Sequence, residues 1–173
     1  MIKIGIKQRL VIVKEVDFGV YLGEPGKEEK VLLPKKQVPE NSKIGDTLTV
    51  FIYRDSEDRL IATTREPKMQ LGEIALLAVK EVNQVGAFCD WGLEKDLLLP
   101  FREQRGRVRE GDQVLVALYI DKSDRLCATM NVYRNLRTDS PYNPGDKVVG
   151  RVYETSDNFG AFVAVDNLYS ALI

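Results

Sequence analysis

The segment Ala78–Pro100, AVKEVNQVGAFCDWGLEKDLLLP, decides the fold because it contains one complete β module. An extended run ends at Val82, and the polar pair NQ at 83–84 forms a turn before VGAF at 85–88. A glycine at the start of a strand lets the chain bend sharply there. The apolar run Leu97–Leu99 then stops at a proline. The segment therefore predicts three short strands in succession.

The same module occurs once upstream, in a constant register. Shared landmarks lie 66 residues apart, namely KEV at 14–16 and 80–82, Pro34 and Pro100, GD at 45–46 and 111–112, and DRL at 58–60 and 124–126. The strand glycines Gly19 and Gly86 are one residue further apart, which indicates an insertion in the preceding turn. Four landmarks in one register indicate an internal repeat.

Each complete copy contains five predicted strands. In the first copy they are one strand ending near Val16 and four at 18–22, 31–33, 47–53 and 60–64, separated by turns rich in Gly, Pro and Asp. In the fourth strand, Leu48, Val50 and Ile52 share a face that should belong to the core. Five short strands in this arrangement predict a small Greek-key barrel of the OB type.

A third copy follows the turn-rich linker 138–144 and holds only two strands and a short stub, 170–173. A five-stranded unit cannot close around a core with half its strands, so we expect the sequence to be a fragment of a longer protein. The predicted fold is all-β, with tandem five-stranded OB barrels at 1–65 and 69–132 and an incomplete third repeat at 143–173.

Composition excludes several classes of protein. The net charge of −1 argues against coating of nucleic acid by bulk electrostatics, although a local basic face is compatible with it. Cys89 and Cys127 are predicted to be small buried side chains, because the chain has no CxxC and no His to build a disulfide framework or a zinc site. We expect no metal and no cofactor. No apolar run approaches the roughly 20 residues of a membrane span, and the charged amino terminus is unlike a signal peptide, so we expect a cytoplasmic protein.

The repeat resembles the S1 RNA-binding domain, an OB-fold family, over nearly the whole chain. The specific match is in the third copy, with GDKVVGRV at 145–152 and FGAFV at 159–163. Where the family has its His, this sequence has Pro34 and Pro100, and Lys36 and Arg102 replace the neighbouring Ser. The Leu-Leu-Pro variant, the three tandem units and the short amino-terminal lead together resemble the conserved virulence factor B family of Firmicutes, whose members have three S1 units and a carboxy-terminal winged helix. This resemblance implies an RNA-binding regulator.

The resemblance also implies which residues bind RNA, through rings that stack on bases and cations that track phosphates. The rings fall on Phe18, Tyr21, Phe88, Phe159 and Phe162. In the second unit Val85 takes the place of the first ring, and both complete units have Pro in place of the family His, so neither has the full set of family residues. The charged groups that flank the last turn fall on Asp55, Arg59, Asp121 and Arg125. We expect Phe18 to be exposed, whereas Tyr21 and Phe88 could instead fill the barrel mouth, and the two arginines could be ordinary surface charges.

Two further groups complete the candidate set. Trp91 lies in a turn, where a large ring is either a cap over the barrel or a binding surface. The densest basic cluster lies between the third and fourth strands of the second unit and consists of Arg102, Arg105, Arg107 and Arg109. Lys35 and Lys36 occupy the equivalent place in the first unit. Nearby glutamates partly neutralise this cluster, and a solvated loop is the alternative interpretation.

The predicted function is binding of single-stranded RNA, weak in each unit and strengthened by linkage. The alternative is a protein-interaction scaffold, since OB barrels also bind peptides and other proteins. We expect no enzyme, because the chain has no His, no GxSxG, no P-loop and no Rossmann glycine pattern.

Overall fold

The first unit forms a closed five-stranded barrel. The computed structural model describes residues 1–173. The strands of this barrel are β1 (Lys7–Val16), β2 (Gly19–Gly23), β3 (Lys30–Pro34), β4 (Thr47–Arg54) and β5 (Leu60–Thr63). They pair in the order β1-β2-β3-β5-β4, and β4 pairs back onto β1. Only the β3–β5 pair is parallel. A 3-10 helix, Lys35–Gln37, follows β3. This arrangement confirms the predicted OB class.

The second unit repeats this plan in a nearly closed form. Its strands are β6 (Ile74–Val82), β7 (Gly86–Asp90), β8 (Leu97–Pro100), β9 (Gln113–Ile120) and β10 (Leu126–Thr129). They pair in the order β10-β9-β6-β7-β8, and the terminal strands β8 and β10 lie side by side without a hydrogen-bonded ladder. A 3-10 helix, Phe101–Glu103, follows β8, as in the first unit, and a third, Tyr133–Asn135, follows β10.

The third unit is an open three-stranded sheet in the order β11-β12-β13. Its strands are β11 (Gly150–Ser156), β12 (Gly160–Val165) and β13 (Tyr169–Leu172). The predicted stub is therefore a third paired strand, which corrects the expectation of only two. The missed signal was the turn: Asp166 and Asn167 both have positive φ and form a tight reversal, in which the Leu168 N–H donates to the Val165 carbonyl at 3.0 Å.

Each of the first two barrels has its own hydrophobic core, and residues of the first barrel extend the core of the second. As predicted, Val50 and Ile52 on β4 are fully buried inside the first barrel, and Leu48 is half-buried against the same cluster. Phe51 and Tyr53 point the other way, yet they are also buried, because they belong to the cluster that fills the second barrel. The outer face of β4 is therefore an interface and not a solvated surface.

The linker between the barrels is held at both ends. The Leu71 N–H donates to the Gly5 carbonyl at 3.0 Å, and the Lys68 N–H donates to the Trp91 carbonyl at 2.8 Å. The Gln70 side-chain oxygen accepts the Lys7 N–H at 2.7 Å. These bonds tie residues 68–71 to both barrels and so set the orientation of one barrel against the other.

The third sheet packs on the outer face of β6 and β9. Ile74, Leu115 and Ala117 supply the side chains from the second barrel, and Val132, Leu136 and Ala164 cover them. The Arg137 N–H donates to the Leu168 carbonyl at 2.7 Å, which joins the connecting segment to the third sheet. Each unit thus buries part of its outer surface against the next.

The helices of the chain are short 3-10 turns, and none of them could span a membrane.

Candidate nucleic-acid interface

An open aromatic ring stands at the start of β2 in the first unit. Phe18 is 57% exposed, as expected. Val20 and Leu22 point into the barrel, so the strand alternation places Tyr21 on the outside, where it is half-buried. The two rings meet edge to face with centroids 6.4 Å apart. This packing leaves a face of Phe18 open to solvent.

Two lysines follow β3 in the first unit and have different surroundings. The Lys35 N–H donates to the Phe18 carbonyl at 3.0 Å, so the backbones of these two residues are adjacent, and the Lys35 side chain is exposed. The Lys36 ammonium lies 2.6 Å from Glu94 of the second barrel. Lys35 is therefore free to meet a phosphate, whereas Lys36 also joins the two barrels.

The β4–β5 turn is built around Asp55. Its Oδ1 accepts the backbone N–H groups of Glu57 and Arg59 at 2.9 and 3.0 Å, and its Oδ2 accepts the Arg59 Nε–H at 2.9 Å. Burial raises the pKa of Asp55, but the hydrogen bonds from Arg59 and Glu57 outweigh burial and leave the pKa below its ordinary value. Asp55 thus shapes the turn and holds the exposed Arg59 guanidinium in place.

Four candidates of the second unit, Phe88, Trp91, Asp121 and Arg125, line a cleft between the first two barrels, which we call the inter-barrel cleft. It has a volume of about 320 Å³. Tyr53 and Arg54 line it from the first barrel. The second barrel lines it with Val85, Phe88, Trp91, Lys95, Asp96, Leu97, Leu98, Asp121, Arg125, Leu126 and Cys127. The structure therefore brings Phe88, Asp121 and Arg125 together in the lining of one cleft.

Trp91 is not a surface for stacking. Its ring is 2% exposed and packs edge-on against Phe51 and Tyr53, with centroids 5.7 and 6.4 Å away. Its Nε1–H donates to the Lys95 carbonyl at 2.7 Å, which satisfies its polar atom. A buried ring offers no face to a base, so the binding interpretation of Trp91 is wrong and the packing alternative holds. The ring seals the interface between the barrels.

The last turn of the second unit repeats that of the first, with one difference. Asp121 Oδ1 accepts the N–H groups of Ser123 and Arg125 at 2.8 and 3.0 Å. Burial raises the pKa of Asp121, and these hydrogen bonds bring it below the ordinary value. The Arg125 guanidinium reaches across to Asp58 of the first barrel at 3.7 Å, and Arg54 Nε–H donates to the Asp124 carbonyl at 2.8 Å. The two turns therefore meet at the cleft.

The arginine cluster divides into two groups. Arg105 is committed to the third unit, since its Nη1 lies 3.0 Å from Glu154 Oε1. Arg102 is exposed and 4.0 Å from its neighbour Glu103, and Arg107 and Arg109 are exposed with no side-chain partner. Arg102, Arg107 and Arg109 are thus available to a ligand, while Arg105 contacts the third unit.

The third unit presents a second open ring. Phe159 is 68% exposed, and Phe162 is half-buried between Tyr153 and Tyr133, with centroids 6.1 and 6.4 Å away. An exposed ring followed by a packed ring is the arrangement of Phe18 and Tyr21, so the first and third units present similar aromatic pairs.

Comparison with known proteins agrees with this geometry. The family model of the S1 domain matches residues 4–65 and 71–131. The chain belongs to the S1 domain family.

The S1 chain has relatives in Firmicutes. It is 29% identical over 174 residues to the uncharacterized protein YitL of Bacillus subtilis, covering 94% of this chain and 57% of YitL. It is 26% identical over 113 residues to conserved virulence factor B of Staphylococcus saprophyticus, covering 62% of this chain and 38% of that protein. The resemblance to conserved virulence factor B is therefore confirmed. The S1 chain spans less than two thirds of these relatives.

One solved structure shares the fold of the S1 chain. It is a multidomain protein with nucleic acid binding domains from Streptococcus pneumoniae. The superposition has a TM-score of 0.64 and 22% sequence identity, and it covers 98% of this chain and 61% of the other. At this identity the match shows a common fold.

Sequence reasoning missed several residues of the inter-barrel cleft. Tyr53 and Arg54 reach it from the first S1 unit, and Lys95 and Asp96 reach it from the loop after Trp91. The repeat carried no signal for Asp96, because Lys30 occupies the equivalent position of the first unit. Only the docking of the two units makes these side chains neighbours.

Both cysteines are buried and free, as predicted for small core side chains. Burial raises the pKa of Cys89 and of Cys127 to about 11. The Cys127 Sγ lies 3.7 Å from Asp121 Oδ2 at the edge of the cleft. No group of three His, Cys, Asp or Glu side chains is close enough to hold a metal ion.

Proposed function

We propose that the tandem S1 units bind single-stranded RNA, and that the whole protein acts through this binding as a post-transcriptional regulator of gene expression. The observation that carries the proposal is the open Phe18 ring, which packs edge to face with Tyr21 and whose backbone is hydrogen-bonded to that of the exposed Lys35. A flat ring beside a cation is the arrangement that holds single-stranded nucleic acid without sequence preference.

Family membership and geometry both support this function. S1 units match two stretches of the chain, and the Streptococcus pneumoniae relative in fold is described as having nucleic acid binding domains. The net charge of −1 favours modest affinity for each unit. Because side chains of the first barrel pack into the core of the second, sites on the two barrels keep a constant separation, and one bound strand can engage both with a high effective concentration.

A protein-interaction scaffold is the second candidate function. The observation that favours it is in the second unit, where Val85 replaces a ring and Trp91 is buried. In addition, Lys36 and Arg105 are engaged in contacts between units. Fewer groups are therefore left for RNA than the sequence predicted.

The deciding experiment is a titration of labelled single-stranded RNA by fluorescence anisotropy at increasing salt. RNA binding predicts an affinity that falls steeply with salt. Phe18→Ala should weaken binding about tenfold, because one stacked base contributes about 1 to 3 kcal/mol. Arg59→Ala should weaken binding and reduce the salt dependence.

The chain offers matched controls for both variants. Ile44 is an apolar side chain of the first unit that is 59% exposed, lies outside the candidate set and has no aromatic face, and Arg9 is an exposed arginine on β1 with no side-chain partner. Ile44→Ala and Arg9→Ala should leave the affinity nearly unchanged. Absence of RNA binding at low salt would favour the scaffold. Equal effects of Phe18→Ala and Ile44→Ala would show that the Phe18 ring does not stack on RNA.

A further inference from the structure

The inter-barrel cleft has the character of a small ligand site. Its volume of about 320 Å³ lies at the lower end of the range for such sites, which suits a single ring system. Phe88, Leu98 and Leu126 supply apolar surface, and charged side chains stand among them. Tyr53 and Arg54 come from the other barrel, so neither unit forms this cleft alone.

Most polar groups around the cleft already have partners. The Arg54 guanidinium donates to the carbonyls of Asp124 and Asp58 at 2.8 and 2.9 Å. The Lys95 ammonium donates to the Asp55 carbonyl at 2.9 Å. Asp121 accepts two backbone N–H groups on one oxygen and the Cys127 thiol on the other. These groups build the walls and have little capacity left for a ligand.

Two charged groups around the cleft can still form hydrogen bonds or ion pairs with a ligand. Asp96 Oδ1 lies 3.3 Å from the exposed Lys80 ammonium, whereas Oδ2 has no partner, and the side chain is 27% exposed. Arg125 is half-exposed, and its one ion pair, with Asp58, is long at 3.7 Å. The cleft therefore offers a ligand one carboxylate that only accepts hydrogen bonds and one guanidinium that only donates them.

We propose that the inter-barrel cleft binds one guanine base of a single-stranded RNA, with its Watson–Crick edge on Asp96 and its ring against Phe88. This inference rests on the proposed RNA-binding function. A carboxylate matches an edge with two adjacent N–H donors, which guanine has at N1 and N2. Uracil has one such donor, while adenine and cytosine place an acceptor nitrogen beside their amino group, which a carboxylate repels. Arg125 is placed to hold a neighbouring phosphate.

The test compares oligouridylates of about 12 nucleotides, within the length that OB folds cover, carrying one central U, G, A, C or inosine. Anisotropy titrations at low salt should show the single G binding about tenfold more tightly than uridine alone, as expected of one bidentate contact. Inosine keeps N1–H and lacks the 2-amino group, so its affinity should fall between those of G and U. Asp96→Asn should abolish the preference for G and leave the affinity for oligouridylate intact.

The matched control is Glu28→Gln, which removes one negative charge at an exposed residue without hydrogen bonds or ion pairs. It should keep the preference for G. If Asp96→Asn also keeps it, or if all five oligonucleotides bind equally, the guanine site is disproved while RNA binding stands. If none of them binds at low salt, the proposed function itself fails. Guanosine monophosphate that binds as tightly as the G-containing oligonucleotide would overturn the assignment to RNA.

Discussion

The glycine at the start of the second strand has the same role in all three units. Gly19, Gly86 and Gly160 have φ of 152°, 150° and 107°, a region that side-chain-bearing residues rarely adopt. A Cβ at each of them would clash with a backbone carbonyl oxygen, that of Leu33, Leu99 and Ile173 respectively. The repeated glycine therefore permits both a sharp bend and close contact with the third strand.

Replacement of Gly86 by Ala should destabilise the protein strongly. The backbone conformation alone costs a residue with a side chain about 1 to 3 kcal/mol, and the clash with the Leu99 carbonyl adds to this. Gly72→Ala is the matched control, because Gly72 also has positive φ, at 84°, but open space around it. Urea denaturation should give a larger loss of unfolding free energy for Gly86→Ala. Equal losses would show that the close approach of the strands contributes nothing.

The fourth strand of each barrel is buried on both faces. In β4, Val50 and Ile52 face the barrel interior, whereas Phe51 and Tyr53 face the second barrel. In β9 one face belongs to the core of the second barrel, and Leu115 and Ala117 on the other are covered by the third unit. The continuous apolar run VFIY at 50–53 is typical of a strand that is buried on both faces. The alternation of Leu48, Val50 and Ile52 predicted only one of these two faces.

The loop between β7 and β8 should contribute as much stability as a core strand. Trp91→Ala removes a buried ring from contact with Phe51 and Tyr53 and should cost about 3 to 5 kcal/mol. The control is Phe101→Ala, which removes an exposed ring and should change stability by less than about 0.5 kcal/mol. Urea denaturation followed by circular dichroism measures both. A loss for Trp91→Ala as small as that of the control would contradict the packing of Trp91 between the two barrels.

At the scale of the whole molecule, the chain's single tryptophan reports on the interface of the first two barrels. Because Phe51 and Tyr53 of the first barrel are packed into the core of the second, the two barrels should unfold together. Trp91 fluorescence and far-UV circular dichroism should then give coincident urea transitions. A fluorescence change at lower urea than the loss of circular dichroism would mean that the barrels separate before they unfold. Thermal unfolding monitored with both signals provides an independent check.

The candidate site was predictable in part. The exposure of Phe18 followed from its place beside a strand glycine, and the pairs Asp55–Arg59 and Asp121–Arg125 lie at the turns where the repeat placed them. Their surroundings were not predictable. Trp91 lies in a turn and has no heptad or alternating pattern around it, so nothing in the sequence distinguished a buried ring from an open one.

The sequence by itself determined the strands, their OB-type barrels and the positions of the repeated rings and turns, because alternation, turn residues and strand glycines act over a few neighbouring residues. Only the tertiary structure decided which outer faces are buried, that Trp91 seals an interface, and that Asp96 and Arg125 face one cleft with Tyr53. These outcomes depend on how one barrel docks on another. Docking joins residues about forty positions apart through side-chain packing, which leaves no period in the sequence.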